Sequence, residues 1–581
     1  MARIEATGDA PTQRPAGGGE ALQPWLAVAE RAQAMMAQVW TDAAAGSGGV
    51  PATVPADPAA MMKAGAEFWS QGLRVWQDWM RAVEPVSAVA PEKDKRFRGP
   101  EWHKPPFDAI AANYLAVSER LMAGAERAPG LDPAAHEKLK FMTRVLVDAI
   151  APSNFPLTNP EVLKKTVETG GANLVKGLEN LLHDLNARQL THTDREAFAV
   201  GRNLAMTPGK VIKETPLYQL IHYAPTTPDV FETPLVIFPP WINRFYILDL
   251  APEKSFVKWA VDQGVSVFMV SWKSADESLR ETRFDDYVVR GQIDAIDTVR
   301  ELLDVPAVHA IGYCVAGTTL AATLALLEAR GEADKVASAT FFTAQVDFED
   351  AGELKHFLGD EAMRGIAALS KKTGTLDGRY MAVVFNLLRG RDLIWGPVVD
   401  HYMLGKDHAA FDLLHWNGDV TNLPAAWHDD YLNSFYRGNK LATPGGVSVD
   451  GTPIDLDTVE TPSYVQAGRE DHIAPAKSVF KITHHFQGPV RFVLAGSGHI
   501  AGVVNHPSSG KYGYALNEGK PETLEAFIEG STEHKGSWWP DWMAWLAPRS
   551  GERVAATGAR VPGEGALAAI EDAPGRYVMS R

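Results

Sequence analysis

Cysteine is almost absent from this sequence: Cys314 is the only one among 581 residues. An intrachain disulfide needs two thiols, and zinc or iron–sulfur sites built on cysteine need several, so both kinds of site are excluded. A single thiol in so long a chain is typical of a protein that stays in a reducing compartment. Any chemistry that Cys314 carries out must proceed without a second thiol.

Long hydrophobic runs are missing too. No segment offers the roughly 18 consecutive apolar residues of a membrane-spanning helix, and the opening MARIEATGDAPTQRPAGGGE lacks the apolar core of a signal peptide. We therefore expect a cytoplasmic protein.

Basic residues are outnumbered, with 56 Lys and Arg against 72 Asp and Glu and a formal net charge of -16. Because nucleic acid binds clustered cations, it is not expected as a partner.

The chain does contain enough apolar material for more than one core. Hydrophobic residues make up 45% of it, and a chain of this length is expected to divide into domains. Residues 1–20, rich in Gly, Pro and polar side chains, are predicted to form a disordered tail. Amphipathic stretches broken by Pro and Gly continue to about Leu190, so residues 21–200 are predicted to be a helical N-terminal domain. Residues 201–581 would form the second domain.

The second domain alternates short β-rich runs with helical segments. The runs are apolar on both faces, as in buried parallel strands, and segments such as DDYVVRGQIDAIDTVRELL would connect them. The predicted fold class is therefore α/β. From about 353 to 456 the alternation stops, and we expect this insertion to form a cap over the carboxyl ends of the strands, where ligands bind. The runs are PLVIFPP, VSVFMVSW, VHAIGY, SATFFTAQVDF, PSYVQAG and VRFVLAG.

The lone cysteine lies between one of these runs and a run of small helix formers, in VHAIGYCVAGTT. Strand, Gly-x-nucleophile-x-small, then helix is the arrangement of the nucleophile elbow in the α/β-hydrolase fold, with Cys314 in place of serine. Gly312 provides the first small residue that this strained turn needs. Ala316 stands at the position of the second glycine, and Gly317 follows it. A free cysteine is also commonly a buried core residue, so the elbow interpretation needs partners elsewhere in the chain.

Two partners follow in the order that this fold uses: nucleophile, then acid, then histidine. PSYVQAG leads into REDHIAP, which offers Asp471, and VRFVLAG leads into SGHIAG, which offers His499. Asp471 could instead be a helix N-cap and His499 an ordinary loop histidine. Three coincidences in the required order favour a catalytic triad. The competing candidates are Glu470, Asp249 and His472, and the last of these should point away from the histidine of the triad.

Such a triad also needs an oxyanion hole, formed by the backbone N–H after the nucleophile and by another N–H after an early strand. Val315 follows the nucleophile and supplies the first. PLVIFPP leads directly into a loop with Trp241 and Ile242 at its turn. Ile242 is the candidate for the second N–H.

Several motifs in one order resemble those of polyhydroxyalkanoate synthases, from about Phe141 to the C-terminal EDAPGRYV. The family box usually has Gly where this chain has Ala316, and the variable position of the family's PPxIN motif is Trp241 here. The length and the helical N-terminal domain are similar to the class I enzymes, which work without a second subunit type. The motifs are PPWINRFYILDL, VSWKSAD, GYCVAGTTLAA, FDLLHWNGDVTNLP, GREDHIAP, LAGSGHIAGVVNHP and GSWWPDWMAWL.

The resemblance implies an acyltransferase that polymerises (R)-3-hydroxyacyl-CoA, with short chains such as 3-hydroxybutyryl, into polyester and releases CoA. Cys314 would carry the acyl chain, His499 would be the general base and Asp471 would assist it, with no cofactor and no metal. The resemblance further implies a homodimer at the surface of polyester granules in the cytoplasm, with phasin-type proteins among its partners.

Two aromatic segments admit more than one interpretation. EFWSQGLRVWQDWM places Trp69, Leu73, Trp76 and Met80 on one helical face, either as an ordinary packing stripe or as a surface for polymer or a partner. SWWPDWMAWL, near the C-terminus, is expected to pack against the sheet.

The chemistry agrees with the resemblance but leaves two other functions open. When a thiolate attacks a thioester, one thioester replaces another at almost no cost in free energy. A hydroxyl can then accept the acyl group and form a more stable ester. The thiolate is required because a neutral thiol is a poor nucleophile. If water reached the acyl-enzyme, the protein would be a thiol-dependent thioesterase or hydrolase that releases free acid. A non-catalytic granule-associated scaffold is the third hypothesis, and it predicts that Cys314→Ala changes nothing.

Overall fold

The computed structural model describes residues 93–370 and 373–580. The predicted tail at 1–20 and the aromatic stripe from Trp69 to Met80 lie outside the described residues. Among the residues described, no helix is both long and apolar enough to span a bilayer.

The described residues form two compact units. One comprises 93–190 and 390–407, and the other comprises 191–389 and 408–580. The division predicted after residue 200 and the cap predicted at about 353–456 stay predictions. In the structure the first stretch of the first unit ends at 190. Its second stretch, 390–407, lies within the segment predicted as the cap.

The first unit is helical. Asp132 and Asn159 each accept a hydrogen bond from a backbone N–H in the first turn of the helix that follows, which fixes where those helices begin. Phe97, Trp102 and Tyr114 are fully buried and pack edge to face in its core. The helical character predicted for this region is confirmed for the described residues. Its helices are α1 (Phe107–Glu126), α2 (Pro133–Ala149), α3 (Pro160–Glu168), α4 (Ala172–Ala187) and the π-helical segments Arg391–Trp395 and Val398–Met403.

The second unit is built on an eleven-stranded sheet of order β15-β14-β13-β12-β7-β6-β4-β5-β2-β1-β17. The strands of the unit are β1 (Gly209–Glu214), β2 (Tyr218–Tyr223), β3 (Asp229–Phe231), β4 (Leu235–Phe238), β5 (Val267–Trp272), β6 (Val308–Tyr313), β7 (Val336–Phe342), β8 (Thr375–Leu376), β9 (Leu423–Pro424), β10 (Ser448–Val449), β11 (Thr452–Pro453), β12 (Ser463–Gly468), β13 (Val490–Ala495), β14 (Gly513–Leu516), β15 (Thr532–Lys535), β16 (Arg553–Ala555) and β17 (Glu571–Asp572).

The centre of this sheet is parallel. Its strands, β5, β4, β6, β7, β12 and β13, coincide with the six predicted runs. They are buried along nearly their whole length, which is why their sequences are apolar on both faces. The predicted α/β class is confirmed. The antiparallel strands at the two edges were not predicted from the sequence: β2, β1 and β17 on one side and β14 and β15 on the other.

Helices connect the parallel strands and form much of the segment between β7 and β12. The helices at 256–262, 294–303, 315–330 and 476–480 connect the strands, and those at 360–370, 378–388, 412–418 and 425–431 lie in the segment predicted as the cap. The helices are α5 (Phe256–Asp262), α6 (Phe284–Asp286), α7 (Asp294–Leu303), α8 (Val315–Arg330), α9 (Asp360–Ser370), α10 (Gly378–Leu388), α11 (Asp412–Gly418), α12 (Ala425–Tyr431), α13 (Ala476–Phe480), α14 (Ile482–His485), α15 (Leu524–Glu529), α16 (Trp539–Leu546) and the π-helical segments Tyr287–Ile293 and Leu432–Arg437.

The tryptophans near the C-terminus belong to the core of the second unit. Trp538, Trp539 and Trp542 are buried, and the indole Nε1 of Trp542 donates to Thr340 Oγ1 on β7 over 3.0 Å. This contact confirms the prediction that SWWPDWMAWL packs against the sheet.

Candidate active site

Cys314 forms a sharp turn between β6 and α8. Its backbone has φ 53° and ψ -126°, a strained conformation for a residue with a side chain. The turn is held by hydrogen bonds: the N–H of Cys314 donates to the carbonyl oxygen of Phe342 over 2.9 Å, and its own carbonyl accepts from Gly317 and Thr318. The side chain is half-buried. Strain imposed on one residue by a rigid strand and helix is the mark of a nucleophile elbow.

The close approach of β6 and α8 requires glycine at two positions. A Cβ on Gly312 would lie 2.5 Å from the Cα of Gly317, and one on Gly317 would lie 2.4 Å from the Cβ of Ala344. Real carbon atoms do not approach so closely. The second glycine that this turn requires is therefore Gly317, next to Ala316.

Gly317→Ala is expected to destabilise the second unit by about 1 to 3 kcal/mol, because the added methyl group must push α8 away from its neighbours. Thermal unfolding of the full chain measures the effect. Gly365→Ala is the matched control: Gly365 is an exposed residue of α9 whose added Cβ would meet nothing within 4 Å, so that variant should be neutral or slightly more stable. Equal unfolding midpoints for the two variants would contradict the prediction.

Asp471 and His499 come together with a hydrogen bond. Asp471 follows β12 and His499 follows β13, and parallel neighbours end at the same edge of a sheet. His499 Nδ1 lies 2.7 Å from Asp471 Oδ2. Asp471 Oδ1 accepts from the backbone N–H groups of Ile473 and Ala474, at 2.8 and 2.9 Å. Both carboxylate oxygens are thus held, and the imidazole is oriented through its Nδ1.

The electrostatics of His499 favour its protonated form. The imidazole is 8% exposed and burial disfavours its charge, but the negative charge of Asp471 and the interaction with the Cys314 side chain outweigh burial and raise the pKa of His499. The backbone carbonyl of His499 also accepts a hydrogen bond from Tyr313 Oη over 2.8 Å. Tyr313 immediately precedes Cys314, so this bond ties the histidine loop to the elbow.

None of the three competing candidates forms a hydrogen bond with His499 in the described part of the chain. Glu470 is exposed. Asp249 is buried and accepts hydrogen bonds from Thr207 and Ser255; burial raises its pKa. Burial lowers the pKa of His472, although the negative charge of Asp471 acts in the opposite direction. In the described part of the chain, Asp471 is the carboxylate recorded within hydrogen-bond distance of His499.

The chain as a whole is similar to known proteins. Residues 93–260 match the family model described as "Poly-beta-hydroxybutyrate polymerase (PhaC) N-terminus", and residues 233–505 match that of the "alpha/beta hydrolase fold". A poly(3-hydroxyalkanoate) polymerase of Methylorubrum extorquens is 45% identical over 89% of this chain and 85% of its own length. The chain belongs to the poly(3-hydroxyalkanoate) polymerase family.

Other members of the family are similarly close. The poly(3-hydroxyalkanoate) polymerase subunit PhaC of Rhizobium etli is 41% identical and covers 97% of this chain and 90% of its own length. That of Cupriavidus necator is 40% identical, over 87% of this chain and 86% of its own length. The family resemblance and the α/β-hydrolase fold inferred from the motifs are confirmed. Polymerases of this family are acyltransferases, so the chain is an enzyme of that class.

In this polymerase, Cys314 lines a pocket together with both residues predicted for the oxyanion hole, Val315 and Ile242. Trp241, beside Ile242, is buried and stacks on Tyr287 with ring centroids 3.9 Å apart. Most of the remaining wall is apolar and comes from the segment predicted as the cap. Its residues include Leu354, Phe385, Trp427, Tyr431 and Leu432.

The sequence analysis missed Gln345, His428 and Tyr436, which are among the polar residues that line this pocket. No motif marks them, because they lie far from Cys314 along the chain and only the tertiary fold brings them to the pocket. Within residues 93–370 and 373–580, no cluster of three or more His, Cys, Asp or Glu side chains is arranged to hold a metal ion.

Proposed function

We propose that this polymerase joins (R)-3-hydroxyacyl groups, short ones such as 3-hydroxybutyryl, into polyester through an acyl chain bound to Cys314. The observation that carries the proposal is the 2.7 Å contact between His499 and Asp471 at the sheet edge where Cys314 forms its strained turn. A thiol, an imidazole and a carboxylate in this relation form a nucleophile, a base and the group that orients the base.

Before the loading step, His499 holds the proton of the Cys314 thiol as an imidazolium, which leaves the sulfur as a thiolate. The thiolate attacks the thioester carbonyl of the acyl-CoA, the bond from carbon to CoA sulfur breaks, and the CoA thiolate leaves with a proton from the imidazolium. Because Nδ1 of His499 is engaged by Asp471, Nε2 is the nitrogen available for these proton transfers. The N–H groups of Val315 and Ile242 would stabilise the oxyanion of the intermediate.

In the transfer step, the 3-hydroxyl of a second unit attacks the acyl group on Cys314. His499 accepts the hydroxyl proton, an ester bond forms, and the sulfur leaves as a thiolate beside the imidazolium. Asp471 stabilises the imidazolium in both steps and keeps it oriented. The steps move only protons and acyl groups, so the proposal requires no cofactor, and CoA enters solely as the leaving group of the substrate.

The apolar cap residues would keep water from the acyl-enzyme, since hydrolysis of that thioester would release free acid instead of polymer. Phe385→Ser is therefore expected to raise the free 3-hydroxy acid several-fold relative to polymer. Partial deletion within the segment 353–456 should act in the same direction if the product folds. Val383→Ser on the same helix is the matched control, because Val383 is 55% exposed. Mass analysis of the products measures the ratio of free 3-hydroxy acid to polymer. If this ratio is the same in Phe385→Ser as in the wild type, the cap residues do not shield the acyl-enzyme from water.

One experiment separates the three hypotheses for the function. The full chain receives (R)-3-hydroxybutyryl-CoA, CoA release is followed, and the acyl product is weighed. Polymer supports the proposal, free acid alone supports a thioesterase or hydrolase, and no turnover supports a scaffold.

The assembly is also part of the proposal. We expect a homodimer at the surface of polyester granules in the cytoplasm, with phasin-type proteins nearby. Light scattering of the purified chain tests the dimer, and fractionation of granules from producing cells tests the location.

A further inference from the structure

One histidine of the pocket has no role in the mechanism above. His428 lies on α12, is 4% exposed, and lines the same pocket as Cys314. Its Nε2 is buried and has no hydrogen-bond partner among the residues that the structure describes. Burial lowers the pKa of His428 to about 4, so the ring is neutral at pH 7. A buried polar atom without a partner is costly, which indicates a site that a ligand completes.

The polar groups that line the pocket together with His428 differ in whether they are already hydrogen-bonded. Gln345 is occupied, since its amide donates to Tyr436 Oη over 3.1 Å and accepts from Ser478 Oγ over 2.9 Å. Thr343 Oγ1 and Trp427 Nε1 line the pocket and are likewise buried without a partner in the described part of the chain. Trp427 can only donate, whereas a neutral imidazole nitrogen donates or accepts according to its tautomer.

A hydroxyl group both donates and accepts hydrogen bonds, so it can pair with His428 Nε2 in either tautomer of the ring. Building on the proposed function, we propose that His428 is a positioning residue that hydrogen-bonds the 3-hydroxyl of the incoming hydroxyacyl thioester. The hydroxyl distinguishes this substrate from a plain acyl thioester. A site built to bond a hydroxyl discriminates strongly against the analogue that lacks it, because its own polar atom is then left unpaired. His428 would thereby select hydroxyacyl groups and orient them while Cys314 is acylated.

The test compares acylation of Cys314 by (R)-3-hydroxybutyryl-CoA and by butyryl-CoA, followed as a single turnover of CoA release by the full chain. His428→Leu is expected to lower kcat/KM for the hydroxyacyl substrate by about tenfold to hundredfold and for butyryl-CoA by less than about threefold. His428→Gln, which keeps a hydrogen-bonding group, should recover part of the loss. Leu432→Ala, a change in the same wall, should affect both substrates alike.

Three results would overturn the inference. If His428→Leu lowers kcat/KM by the same factor for both substrates, the residue is merely structural. If His428→Gln and His428→Leu both prefer the hydroxyacyl substrate as strongly as the wild type does, the residue does not contact the hydroxyl. Either result leaves the proposed function standing, provided that the wild type releases CoA and Cys314→Ala does not. Failure of the wild type to release CoA would overturn both proposals together. Thermal unfolding of each variant verifies that it is folded.

Discussion

Cys314→Ala is expected to abolish CoA release from (R)-3-hydroxybutyryl-CoA and all polymer formation, a loss on the order of 10⁴-fold or more, because in the proposed mechanism no other thiol can carry the acyl chain. The chain contains one cysteine, so alkylation of the wild type with iodoacetamide should produce the same loss at a single site. The measurement is the initial rate of CoA release together with the mass of the product.

The alanine variant should remain folded, which makes the loss interpretable. Alanine at this position carries the same Cβ through the same strained backbone, φ 53° and ψ -126°, so the unfolding midpoint should change little. Cys314→Ser, which keeps a weaker nucleophile in the elbow, is the companion variant and should also lose most activity. CoA release by Cys314→Ala at the wild-type rate would contradict the catalytic role of the thiol.

The parallel strands and the order of the site residues were predictable for a physical reason. Strands buried on both faces must be apolar throughout, so β6, β7 and β12 stand out in the sequence. Parallel strands end at one edge of the sheet, so residues placed after β12 and β13 are brought to the same edge as Cys314. Chain order alone then indicated Asp471 and His499.

The edge strands carried no such signal. β15 is Thr532–Lys535, a short polar and largely exposed segment, and β17 has only two residues. Their pairing depends on the neighbouring strand rather than on their own pattern. Likewise, the requirement for glycine at Gly317 follows from its distance to Ala344, a contact between a helix and the segment after β7. Such contacts between distant segments are set by packing, and His428 reached the pocket in the same way.

The other large effect is expected from Asp471→Asn, which removes a negative charge but little volume. The amide cannot stabilise an imidazolium, so turnover should fall by about 10³ to 10⁴-fold. Burial opposes the charge on His499, and the carboxylate is the largest of the influences that raise its pKa. Without it the pKa of His499 falls, the ring becomes neutral, and the thiolate loses the cation that stabilises it.

The sign of this effect with pH provides the sharper test of Asp471→Asn. Below its raised pKa, His499 is an imidazolium that stabilises the thiolate. This stabilisation is lost as the pH rises through that pKa. The rate at which iodoacetamide modifies the single thiol should therefore be much lower in the variant near neutrality. The two rates should converge toward about pH 10, because the imidazolium of the wild type loses its proton as the pH rises through the pKa of His499. Glu470→Gln, which neutralises the adjacent exposed carboxylate, should follow the wild type throughout. A ratio of rates that does not change with pH would mean that Asp471 acts only by orienting the ring.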